Sequence, residues 1–130
     1  MRSCTLLKSD IICLQETFCD KDQSSPLIPG YICKLAGNGQ GRGVAIYLKN
    51  HIAQGVVHTD YVINEFAQCI KLSFIDYDLI TIYRSPSRIN LINTQQLVGI
   101  LSNLIKDDKP TIINGDFNYD YWKEQTTYYQ

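Results

Sequence analysis

Asp10-Ile11-Ile12-Cys13-Leu14-Gln15-Glu16-Thr17 is the stretch on which the fold turns. Its four consecutive apolar residues, Ile11 to Leu14, suit a short strand covered on both faces rather than one with a wet side. A carboxylate, Glu16, stands where that strand ends. The same arrangement recurs a hundred residues later. Thr111-Ile112-Ile113 reads as a second buried strand, leading into Asn114-Gly115-Asp116-Phe117-Asn118. A strand held on both faces is a rigid post, and a carboxylate at its tip keeps little freedom, which suits a metal ligand or a general base. Gly115 lets the backbone approach a ligand or a neighbouring strand closely. Asn118 follows Asp116 by two residues and points to the same side of an extended chain, so an acid and an amide converge. Hard oxygen donors of this kind suit Mg²⁺ or Mn²⁺. The plainer alternative stays open: polar residues follow strands because strands end at the surface, and Asp and Asn also form Asx-turns.

Between these posts the sequence predicts a sheet. Tyr31 to Leu35 is a short strand, and Gly43 to Lys49 leaves a glycine-rich turn spanning Gly37 to Gly43. Phe66, Gln68, Ile70, Leu72 and Phe74 alternate with Ala67, Cys69, Lys71 and Ser73, the period of a half-covered strand. Asp76-Tyr77-Asp78 is a tight connection, Leu79 to Tyr83 is the hairpin partner, and the strand stops before Pro86. One helix is expected, capped by Asn93 or Thr94, with Leu97, Leu101, Leu104 and Ile105 on one stripe and Lys106 in its last turn. The first eight residues could close an earlier helix, and Tyr119 to Gln130 has no clear period. Strands with a helix packed on them make a mixed α/β layered domain.

The chain has 130 residues, one domain or part of one. That length buries roughly two-thirds of the unfolded surface, so neither disulfides nor a structural metal is needed on grounds of size. Apolar residues make up 45% and charged residues 19%, which excludes a disordered chain or a coiled coil. Twelve basic and thirteen acidic residues leave a net charge of −1, so any contact with a phosphodiester must be local or metal-mediated rather than a global field. No apolar run spans a bilayer and no signal peptide opens the chain. Five cysteines without CxxC spacing read as reduced thiols, hence an intracellular protein, nuclear or cytoplasmic and not secreted. His51 and His58 lie near no cysteine pair and read as surface residues, not zinc ligands. Tyr83, at a strand end beside Arg84, reads two ways: a hydrogen-bond donor to phosphate, or an ordinary strand aromatic. Trp122 and its neighbouring tyrosines read as tail packing rather than a base-stacking surface.

The order of the motifs adds to this. Asp10 to Thr17, Gly43-Val44-Ala45-Ile46-Tyr47, Ile82-Tyr83-Arg84-Ser85-Pro86-Ser87 and Ile112 to Asn118 together resemble the endonuclease/exonuclease/phosphatase superfamily, of DNase I-like fold. Tyr83-Arg84-Ser85-Pro86-Ser87, with Asp120, Lys123 and Glu124, is similar to the endonuclease domains of non-LTR retrotransposons. The resemblance implies a four-layer α/β/β/α sandwich, incomplete here: residues 1–130 are a partial domain whose motifs occupy 10–118. It implies Glu16 as the Mg²⁺ ligand, Asp116 as the group that activates or orients water, Asn118 as its helper and Tyr83 as the contact to the scissile phosphate. It implies Mg²⁺-dependent phosphodiester hydrolysis and DNA as the substrate of the full-length domain, and leaves open whether a reverse transcriptase follows in the full gene. The amino-terminal strand that carries a metal-site asparagine and the carboxy-terminal Ser-Asp-His motif are missing, so the fragment is expected to be inactive or weak. The rival classes are a phosphatase or phosphodiesterase acting on lipid, inositol phosphate or RNA, and a non-catalytic scaffold. The sequence leaves the oligomeric state open.

Overall fold

The computed structural model describes residues 8–15, 17, 26–37, 43–85, 91–106 and 108–118. They form two sheets. The first has strand order β1-β3-β2, from β1 (Ile11–Gln15), β2 (Tyr31–Gly37) and β3 (Gly43–Lys49), all antiparallel. The second has order β4-β5-β6-β7, from β4 (His58–Ile63), β5 (Ala67–Ser73), β6 (Asp78–Arg84) and β7 (Thr111–Asp116). Its first three strands are antiparallel, while β6 and β7 run parallel, as the intervening helix α2 (Leu91–Leu104) requires. A short helix α1 (Asn50–Ala53) follows β3.

The sheets pack face to face through alternate residues. Ala36, Val44, Ile46 and Leu48 of the first sheet form one core with Ile70, Leu72, Leu79 and Tyr83 of the second. The other face of the second sheet, through Ala67, Cys69, Ile80 and Ile82, packs under Leu97 of α2. This explains the first difference from the sequence reading. The period-2 pattern of β5 is real, but every one of its residues is buried, because the sandwich covers one face and α2 the other. Lys71 is buried on the helix side and donates from Nζ to the Leu104 carbonyl, supplying the cation at the end of α2 that was expected from Lys106. Asn93 and Thr94 do not cap the helix. It begins earlier, at Leu91, and Thr94 Oγ1 instead accepts a 2.7 Å hydrogen bond from Arg84.

The two posts are also less covered than expected. In β1 only Ile12 is buried, and Leu14 is 42% exposed. In β7 Ile112 is 52% exposed. Among the described residues both are outer strands of their sheets, so an apolar run here marks sheet membership without two-sided burial. Helix α1 and strand β4 had no counterpart in the sequence reading, β4 being a half-exposed outer strand with polar residues on both faces. Residues 1–7, most of the glycine-rich turn and the 119–130 tail, including Asp120, Trp122, Lys123 and Glu124, lie outside the described residues.

At one end of the sandwich Asp78 is completely enclosed, 3.0 Å from Lys109 and 3.5 Å from Lys71. Burial works to raise its pKa. Hydrogen bonds from Lys109 and Ser73 and the neighbouring lysine charges outweigh it and hold the carboxyl below its usual range.

Candidate active site at the strand ends

The opposite end of the sandwich gathers the residues of interest. Phe74, in the β5–β6 turn, packs against Gly55, just past the Lys49 end of β3. The Gly43 end of β3 and its neighbour Gln15 on β1 are therefore at the far end, where β6 closes with Tyr83 and Arg84 and β7 with Asp116. A direct contact agrees: Gln15 Nε2 lies 3.4 Å from Thr81 Oγ1, bridging the two sheets. The chain thus brings the end of β1, the residue before Glu16, to the same end as Asp116. Glu16 itself lies outside the described residues.

Asp116 is exposed, the last residue of β7, in parallel register with Tyr83, which is in turn opposite Gln68 on β5. Gln68, Tyr83 and Asp116 form one cross-strand row facing between the sheets. Gln68 is 1% exposed, and its Oε1 has no hydrogen-bond partner among the described residues. It was read only as one position in an alternating strand. The signal that could have singled it out was an amide among four apolar positions of the same face. Tyr83 is fully enclosed in the core, with its ring among the residues packed between the sheets.

The backbone around Asp116 is built for a close approach. Gly115 has φ +143°, and a Cβ placed there would lie 1.9 Å from the Ile82 carbonyl oxygen. Only glycine lets β7 pair this tightly with β6. Past the strand, Asn118 takes a left-handed φ of 47°, which Asn tolerates better than most residues. Its backbone N–H donates to Asp116 Oδ1 at 3.0 Å, the Asx-turn left open by the sequence, and its side-chain amide donates to the Arg84 carbonyl. The turn also fixes the Asp116 carboxylate, so the structural and chemical readings of this pair coexist. Asp116, Phe117 and Asn118 line an open groove of about 980 Å³ with Arg84, Thr94 and Leu97.

The donors present fit a hard divalent cation in kind: an exposed carboxylate and an amide oxygen. Among the described residues no group of three or more His, Cys, Asp or Glu side chains gathers, so they supply part of a coordination sphere. His58 bonds Asp60 at 3.0 Å on the exposed β4, away from this end.

The family model for the endonuclease/exonuclease/phosphatase family matches residues 4–128. Two solved structures are similar in fold. Humanized D. rerio TDP2 carrying 14 mutations aligns with a TM-score of 0.52 at 15% identity, covering 97% of this chain and 59% of that one. D. rerio TDP2 complexed with single-strand DNA product aligns with a TM-score of 0.55 at 17% identity, covering 96% and 54%. The shared architecture is the DNase I-like α/β sandwich. The chain thus spans little more than half the length of these structures. Among curated proteins, none matches the sequence.

Proposed function

This chain belongs to the endonuclease/exonuclease/phosphatase family, and on that premise we propose that it carries part of a Mg²⁺- or Mn²⁺-dependent phosphodiesterase centre acting on DNA, of the nicking type found in retrotransposon endonucleases. The observation that carries the reading is the meeting of the β1 and β7 ends, tied across the sandwich by Gln15 to Thr81 of β6 and by Asn114 of β7 to Cys13. It brings the end of β1, the residue before Glu16 in sequence, to the same end of the fold as Asp116, a hundred residues later. The ion, when bound, neutralises charge building on the phosphate.

Glu16 is assigned to hold the metal. Asp116, fixed by the Asn118 N–H, orients the attacking water and takes its proton as the new P–O bond forms and the leaving oxygen departs. Asn118 helps to place that water. Tyr83 is assigned the phosphate contact, and Tyr83→Phe separates that role from packing: unchanged turnover with unchanged stability assigns it to the core. DNA as substrate is supported by the nucleic-acid complex of the D. rerio neighbour. The retrotransposon affiliation rests on Tyr83-Arg84-Ser85-Pro86-Ser87. We place residues 1–130 as a partial domain with weak activity on its own, consistent with its spanning 54–59% of the neighbouring structures.

Plasmid nicking tests this. Slow, Mg²⁺-dependent nicking that disappears in Asp116→Ala is expected. Robust nicking would overturn the claim of weakness. Phosphate release from a phosphoinositide without nicking would assign the site to the lipid-directed branch of the family. A cooperative melt with no Mg²⁺ binding would leave a scaffold.

A further inference from the structure

Beneath the candidate site four polar side chains close a ring between the sheets. Gln15 Nε2 donates to Thr81 Oγ1 at 3.4 Å; the Thr81 hydroxyl donates to Asn114 Oδ1 at 2.5 Å; Asn114 Nδ2 donates to Cys13 Sγ at 3.6 Å. The ring leaves β1 at Gln15, crosses β6 and β7 and returns to β1 at Cys13, two residues away on the same face. Thr81 is completely enclosed and pairs with Asn114 in the parallel register.

The core beside the ring is mostly apolar (Val44, Ile46, Leu48, Ile70 and Leu72), and apolar packing tolerates sliding better than a directional network does. Polar groups buried here are costly unless each finds its partner, so the ring admits few alternative registers. It sits one residue before Glu16 on one side and two before Asp116 on the other. We infer that Gln15, Thr81 and Asn114 are positioning residues: their ring fixes the end of β1 against β7 and thereby sets where β7 presents the Asp116 carboxylate. The inference rests on the metal-dependent reading above for its consequence, but not for the clamp itself.

Thr81→Val removes the hydroxyl and keeps the branched shape; Thr81→Ser keeps the hydroxyl. Two readouts are taken on the full 130-residue chain. The first is Mg²⁺ affinity by calorimetry. Outer residues that orient ligands commonly change metal affinity about 10–100-fold, so Thr81→Val is expected to weaken binding by about tenfold and Thr81→Ser to restore most of it. The second needs no metal: hydrogen exchange at the amides of residues 15, 17 and 116 is expected to quicken in Thr81→Val, while that of Ile70 stays constant. Exchange unchanged by Thr81→Val would overturn the clamp. Exchange quickened with Mg²⁺ affinity unchanged would overturn the link to the placement of Asp116. Absence of Mg²⁺ binding by the parent chain, with exchange quickened as expected, would defeat the metal reading and leave the clamp standing.

Discussion

Gly115→Ala tests the geometry of the strand that delivers Asp116. A methyl at this position would meet the Ile82 carbonyl oxygen at 1.9 Å and its nitrogen at 2.8 Å, both backbone atoms that no rotamer change can move. Relief requires β6 and β7 to part by about 1 Å. The residue also sits at φ +143°, where a side chain adds strain of about 1–3 kcal/mol, and overpacking adds about 1–3 kcal/mol more. The combined loss, about 2–6 kcal/mol, is a large share of the roughly 5–15 kcal/mol that holds a domain folded. With a urea slope of about 1–3 kcal/mol/M, the unfolding midpoint should fall by about 1 M or more, followed by circular dichroism. Gly99→Ala is the internal control. It lies in α2, with open space where the methyl would go, and should stabilise by about 0.5–1 kcal/mol. Equal midpoints for the two variants would refute the close β6–β7 approach.

Three further outcomes are expected. Asp78→Asn leaves Lys71 and Lys109 facing a neutral amide at a buried site and should cost about 3–5 kcal/mol. Because the folded pKa of Asp78 is lowered, its contribution is present above the unfolded value, near 3.9, and is lost as pH falls below that; thermal melts from pH 7 to 3 should show this acid loss in the parent and much less of it in the variant. Burial pushes the Cys69 thiol up to about 12, so native Cys69 should resist iodoacetamide at pH 8 while the half-exposed Cys33 reacts, and its contribution to stability should fade only as pH climbs from about 8.5 towards 12; equal labelling of the two would contradict the placement of Cys69 under α2. Asn118→Ala should destabilise more than Asn118→Gly, by about 1 kcal/mol, since glycine accepts the left-handed backbone, while both should lose nicking; equal melts would count against the conformation of this turn.

Much of this was legible in the sequence because local chemistry determined it. The alternation of Phe66 to Phe74 marks a strand in any tertiary setting, and Gly115 with Asp116 and Asn118 encodes a close approach followed by an Asx-turn. What was not legible depended on partners distant in sequence. Whether the second face of β5 is dry depends on α2 lying over it, and whether β1 and β7 are covered depends on their place in the sheet order, which apolar runs do not state. The helix start was displaced because Arg84, ten residues upstream, claims the Thr94 hydroxyl that could have capped it. Gln15, Thr81 and Asn114 escaped notice for the same reason: each is an unremarkable polar residue in its own strand, and only the packing of two sheets makes them a ring.

The central claim is that positions 16 and 116 share one divalent ion. Mn²⁺ added to isotopically labelled chain should broaden the amide signals of residues 15–17 and 116–118 together, with Asp116→Ala abolishing both effects. Broadening confined to one of the two segments, or spread without relation to either, would contradict it.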